Sequence, residues 1–144
     1  DDINISLHVR TPNPNDIPGE IVSPYREYYI KENHFGRYTN LINFLKEQTK
    51  NKKTILHIHS QGFSTDFTEF FVFKDDNFDV QLHIDDHPIS DIYHMSNSDL
   101  FIMSNSAFSY IPCLLNSNQK ITRDNYHTWT FNSIKTNYDF TSFV

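Results

Sequence analysis

An α/β fold built on a doubly wound parallel sheet of about five strands is what this sequence predicts, over a single domain covering residues 1–144. Three observations carry that reading. Short apolar segments with strand character recur along the chain. Helical stripes fall between them, and strands alternating with helices at this spacing form βαβ units. A length of 144 residues suits one core.

Residues 3–10 alternate strictly, with Ile3, Ile5, Leu7 and Val9 on one face and Arg10 at the end. A period of two is a strand's period. Residues 11–24 hold Pro12, Pro14, Pro18 and Pro24, which fix φ and remove donors, so this stretch is a long loop. Loops of that length are uncommon without a task. In residues 35–50, Phe35, Tyr38, Leu41, Ile42 and Leu45 form a helical stripe. Lys46, Lys50, Lys52 and Lys53 gather at its C-terminal end, where the macrodipole favours cations. Residues 54–59 are a second strand. Ser60, Gln61 and Gly62 then turn into a short helix over residues 64–70, capped by Ser64.

Residues 80–84 read as a third strand, with Val80, Leu82 and Ile84 on one face. Pro88 suits the first position of the next helix, whose buried side is expected to be Ile89, Ile92, Tyr93 and Met95. The unbroken apolar run Leu100, Phe101, Ile102, Met103 is a strand covered on both faces. Ser104, Asn105 and Ser106 break it and open a helix running to about Leu115. A short strand over residues 120–122 and a helical segment over residues 132–138 complete the reading.

Composition excludes several classes of function. Twelve Lys+Arg against 18 Asp+Glu give a formal charge of −6, the wrong sign for gripping long nucleic acid. No apolar run reaches the roughly 18 residues of a membrane helix, and no N-terminal signal pattern is present. Cys113 alone allows neither an internal disulfide nor a cysteine zinc cage. Gly19, Gly36 and Gly62 are too scattered for a phosphate-binding glycine loop. Phosphate binding would therefore fall to helix N-termini and Arg. The Asn4-Ile5-Ser6 sequon lies inside a strand and reads as inert.

In a doubly wound sheet, ligands bind beyond the carboxyl ends of the strands, near the point where strand order reverses. The first strand delivers His8 and Arg10 there, the second His59 and Ser60, and the third His83, Asp85 and Asp86. The fourth delivers Ser104, Asn105 and Ser106. That last turn can be a plain cap, an anion seat, or both. Arg10 is either a surface ion-pair partner or a fork for two phosphate oxygens. His83 and Asp85 share a face of the third strand, where a carboxylate can accept paired N–H groups from a guanine edge. Alternatively, Asp85 or Asp86 caps the following helix.

The histidines open a rival reading. His57 and His59 share a strand face, and His83 and His87 flank two aspartates, which could be a metal site. No intact zinc-binding motif accompanies them, and His57 in mid-strand reads more simply as a hydrogen-bonded core residue.

Residues 94–110 (HMSNSDLFIMSNSAFSY) resemble the donor-site block of the α1,2-, α1,6- and protein O-fucosyltransferase superfamily. His8-Val9-Arg10 is similar to that superfamily's His-x-Arg motif, Ser60 to its Ser at the end of the next strand, and residues 80–86 to the strand before its guanine-contacting loop. The blocks keep their order over residues 3–115. The Thr11-Pro12-Asn13-Pro14-Asn15-Asp16 run departs from the family pattern after His-x-Arg, so the motif's acid has no certain counterpart.

The resemblance implies a Rossmann-like lobe of a GT-B glycosyltransferase, a GDP-sugar donor such as GDP-fucose, and inverting transfer without a cofactor or required metal. Arg10 would bind the β-phosphate and stabilise the leaving diphosphate. Ser106, Ala107 and Phe108 would offer backbone N–H groups, alongside Ser104, Asn105 and Ser109 in the same block. His83, Asp85 and Asp86 would face guanine or ribose. Asp16 or Glu20 would be the base for a glycan or protein hydroxyl, or the base would come from a second lobe that holds that acceptor. The chain is then expected to be soluble, either cytoplasmic or the luminal part of a longer enzyme. Two readings stand beside this one: a non-catalytic module binding nucleotide or sugar, and a metal-dependent hydrolase using His57, His59, His83 and Asp85.

Overall fold

The computed structural model describes residues 1–10, 34–104, 106–123 and 129–132. The loop over residues 11–24, with Asp16 and Glu20, lies outside the described residues, as does Asn105. Strand β1 (Ile3–His8) is followed by helix α1 (His34–Thr49), β2 (Thr54–Ser60), a 3-10 helix (Ser64–Phe73) and β3 (Phe78–Ile84). Helix α2 (Pro88–Asn97), β4 (Leu100–Ile102), α3 (Ala107–Leu115), β5 (Gln119–Arg123) and β6 (Trp129–Asn132) complete the order. The sheet runs β3-β2-β1-β4-β5-β6. Its first five strands are parallel, and β6 is antiparallel to β5. This is the expected α/β, Rossmann-like fold, and strand order reverses between β1 and β4. Where residues 132–138 read as helical, Asn132 instead closes β6, and residues 133–138 lie outside the described set.

The period-two pattern sorts the sheet into two unlike faces. Ile3, Ile5, Leu7, Leu56, Ile58, Val80, Leu100, Ile102 and Ile121 pack on one side against Tyr38, Leu41, Ile42 and Leu45 of α1. Phe67, Phe70 and Phe73 join this layer. Their spacing of three explains the helix type. At three residues per turn all three rings stand on one face, so the segment runs as a 3-10 helix to Phe73 rather than ending at residue 70. Ser64 is its first residue, and Phe63 occupies the cap position without a side-chain hydrogen bond. Lys46 does more than meet the α1 dipole: its Nζ donates to the Phe73 carbonyl (2.6 Å) and pairs with Asp75 (2.7 Å).

The opposite face carries Asn4, Ser6 and His8 of β1, with His57 and His59 of β2, and α2 and α3 cover it. Phe101 and Met103 pack there against Met95, with Phe108 and Cys113 beside them, so β4 is apolar on both sides as its unbroken run required. After α3, Asn116 Nδ2 donates to the Met95 (2.8 Å) and Ser98 (3.0 Å) carbonyls, tying the two helices together. Among the described residues no helix is long and apolar enough to cross a membrane.

Gly62, in the turn after β2, has φ of +109°, and a Cβ there would meet nothing within 4 Å. Substitution therefore costs backbone strain alone. Gly62→Ala should lower stability by about 1–2 kcal/mol, read as a reduced urea midpoint with unchanged slope. An unchanged midpoint would mean that the turn relaxes freely.

Candidate functional site

The carboxyl ends of β1 and β2 open onto a cavity of about 210 Å³, lined by His8, Arg10, Ser60, Gln61, Asp86, Asp91 and Phe108 among others. Parallel pairing places these groups together. Leu7 and His8 lie opposite Ile58 and His59, so both strands end at the same level. The Ser60 hydroxyl then donates to the Val9 carbonyl (2.6 Å), clamping the two ends.

His8 is fixed from behind. Its Nδ1 lies 2.5 Å from Ser109 Oγ and 2.9 Å from Ser104 Oγ. Ser109 Oγ also accepts the Ser104 N–H (3.1 Å), and the His8 ring meets the Phe108 ring edge-on at 5.4 Å. Burial lowers the His8 pKa to about 3, helped by His59 and by the Arg10 charge. His8 is thus a neutral ring. Its Nδ1 is held by the two serine hydroxyls, and the ring forms part of the cavity wall.

The expected site residues separate into groups. His8, Arg10, Ser60, Asp86 and Phe108 come together around the cavity. Ser104 and Ser109 are buried behind His8 and position it. Ser106 is the cap of α3, without a side-chain cap bond, and Ala107 is the first residue of that helix. Asp85 does not share a strand face with His83. β3 ends at Ile84, and Asp85 takes φ of +58°, a conformation that Asp tolerates better than most. Its N–H donates to the Ser60 carbonyl (3.0 Å) and its carboxylate accepts the Gly62 N–H (3.1 Å). Its role here is to bind the turns after β2 and β3 together.

Neither aspartate caps α2. His87 does, its Nδ1 accepting the Ile89 N–H (3.2 Å). The expected apolar face of α2 is also turned. Ile89 and Tyr93 are exposed, while Asp91 and Met95 are buried. A polar demand from the sheet sets that rotation. Buried His59 presents Nδ1 to Asp91 Oδ1 at 2.7 Å, and a buried polar group must find its partner.

This contact belongs to a four-histidine cluster. Register aligns His8, His59 and His83 across β1, β2 and β3, with His57 two positions back. His57 Nδ1 lies 3.0 Å from His83 Nε2, and His57 Nε2 lies 3.0 Å from Asn4 Oδ1. His83 Nδ1 meets Asp86 Oδ2 at 3.1 Å, and His94 Nδ1 meets His59 Nε2 at 3.2 Å. Burial lowers the His57 pKa to about 3, with help from His94, His83 and His59 and opposition from Asp79. Burial also lowers His94, followed by the repulsion of His59 and His83. Among the described residues, His57, His83 and His94 are the set whose ligand atoms converge, all within 4.8 Å of one another. An open groove of about 460 Å³ lies over His59, His83, Asp86, Asp91 and His94.

Sequence reading missed Gln61, Asp91 and His94. A signal existed for the last two, since Asp91 and His94 are three apart on a helix and so share a face. Gln61 carried none. Cys113 is half-buried, and burial pushes its thiol upward, away from nucleophilic character. No protein-family model matches the chain, and neither a curated protein nor a solved structure matches it.

Proposed function

We propose that this chain is the nucleotide-sugar-binding lobe of a glycosyltransferase, taking a GDP-sugar, GDP-fucose foremost, at the ends of β1 and β2. The observation that carries this reading is the gathering of Arg10, His8 and Ser60 in one cavity at the edge where doubly wound sheets bind nucleotides. The similarity of His8-Val9-Arg10 and of the block over residues 94–110 to the fucosyltransferase superfamily supports it.

In this reading Arg10 forks onto the β-phosphate. As the sugar–oxygen bond breaks, negative charge grows on the departing diphosphate, and a fixed guanidinium lowers that barrier without help from a metal. The neutral His8 imidazole lines the cavity beside it. Backbone N–H groups of Ser106, Ala107 and Phe108 at the start of α3 face the pyrophosphate. Asp86 takes the guanine edge or the ribose hydroxyls, because an ionised carboxylate only accepts. Asp85, already holding Gly62, is less suited to that task. Transfer to a glycan or protein hydroxyl further requires an acceptor site and a base, for which Asp16 and Glu20 are the candidates.

Calorimetric titration with GDP, UDP and ADP in the presence of EDTA tests the reading. GDP is expected to bind at least about tenfold more tightly than the other two, the discrimination that one paired polar contact provides. Absence of GDP binding at millimolar nucleotide would overturn it.

A further inference from the structure

The histidine cluster resolves into three nitrogen lone pairs once its protons are placed. Asn4 settles the first. Its Nδ2 donates to the Asp2 carbonyl (3.4 Å), which turns Oδ1 toward His57. A carbonyl oxygen only accepts, so His57 Nε2 carries the proton and Nδ1 is a lone pair. Asp86 settles the second. Its carboxylate lies 3.1 Å from His83 Nδ1 and only accepts, so that nitrogen carries a proton and Nε2 is the one that can present a lone pair. These two lone pairs face each other at 3.0 Å.

Asp91 settles the third at one remove. It holds the proton on His59 Nδ1 (2.7 Å), so His59 Nε2 accepts from His94 Nδ1 (3.2 Å). His94 is left with its lone pair on Nε2. Two opposed lone pairs repel unless something positive lies between them.

We propose that His57, His83 and His94 form a three-nitrogen site for a divalent transition metal, zinc foremost. Each imidazole is oriented through its other nitrogen, by Asn4, by Asp86 and by the His59–Asp91 pair. Metal-ligating histidines are held in this manner. The absence of an oxygen ligand disfavours calcium and magnesium, whereas imidazole suits zinc. Zn–N bonds of about 2.0–2.1 Å in a tetrahedron put the nitrogens about 3.3 Å apart. The His57–His83 separation is already close to this. His94, half-buried on α2, closes the set by a side-chain adjustment. The groove over His83 and His94 gives the ion an exchangeable fourth position, the feature that separates open zinc sites from closed ones. This site lies on the α2-covered face of the sheet toward the ends of β2 and β3; it shares Asp86 with the cavity but does not depend on the nucleotide reading.

The test is zinc titration of the EDTA-stripped and dialysed full chain, without nucleotide, in competition with a chromophoric chelator. One zinc per chain is expected, with Kd below about 1 µM. His57 is buried in mid-strand, so the half-exposed ligands carry the mutational arm. His83→Ala and His94→Ala should each weaken binding by more than about 100-fold, beyond what loss of an orienting partner alone costs. Circular dichroism confirms that each variant remains folded. His87→Ser, which keeps a cap on α2, should bind as the parent does. Nitrogen-15 spectra of the rings should show zinc shifting His57, His83 and His94. Failure to bind one equivalent at that affinity would overturn the site, as would binding that survives in either ligand variant.

Discussion

Arg10→Ala is expected to weaken GDP binding by about 10- to 100-fold, the worth of a hydrogen-bonded charge pair of about 1.5–3 kcal/mol, while guanosine binding stays nearly constant. Guanosine lacks the diphosphate, so it cannot report the loss of a phosphate fork. The contrast isolates the role from any general damage to the cavity. Arg10→Lys should fall between, since lysine restores the charge but not the two parallel N–H bonds. Raised salt should narrow the gap between parent and Arg10→Ala, because Arg10 is only partly buried and its field is screened. Titration of both ligands against the three proteins measures this. An equal loss for GDP and guanosine would show that Arg10 does not touch phosphate.

Stability is expected to collapse in mild acid, measured by urea unfolding in EDTA from pH 7 to pH 4. Burial holds His8 at about 3 in the folded chain, against 6.5 when exposed. Between those values the unfolded chain binds a proton that the folded chain refuses. Stability is therefore complete above about pH 6.5 and falls as the pH drops toward 3. His8 alone contributes a slope of about 1.4 kcal/mol per pH unit. His57, also at about 3, and His94, also lowered, act in the same direction. A small domain has only about 5–15 kcal/mol to lose, so the midpoint of acid unfolding should lie well above the range where carboxylates titrate. Stability that stays level between pH 6.5 and 4.5 would show that these rings are reached by water.

Much of the sheet was legible because its apolar periods are unambiguous. Ile3, Ile5, Leu7 and Val9, or Val80, Leu82 and Ile84, admit one face and one element type, and all point into the same core. The unbroken Leu100–Ile102 strand was equally plain. Legibility failed where a polar partner overrode the apolar pattern. Ile89 and Tyr93 mark the wrong side of α2, because Asp91 is drawn inward by His59 across 32 residues of sequence. Nothing local announces such a pair. Asp85 failed for a different reason: it sits past the end of β3 in a left-handed turn, off the strand face that was expected to carry it.

Position along a strand is enough to bring His8, Arg10, Ser60 and Asp86 around one cavity at the strand ends. It could not divide the residues that line the cavity from those that brace them. Ser104 and Ser109 look like ligands in sequence and turn out to stand behind His8. Their task is visible only when β1 and α3, about a hundred residues apart, are seen side by side.

The alignment of His8, His59 and His83 across three strands also bears on how the chain avoids misassembly. A parallel strand can slide along its neighbour, and a slip of one residue exchanges its two faces. Were β2 to slip, His57 and His59 would be driven among Leu7, Leu41 and Phe70, while Leu56 and Ile58 would confront Asn4 and Asp91. Both halves of that exchange are costly: imidazoles lose their partners in an apolar layer, and carboxylates and amides are left facing hydrocarbon. A sheet apolar on both sides has no such penalty against sliding. The imidazole row thus acts as a keyed joint, rejecting every odd-numbered offset among β1, β2 and β3 during assembly.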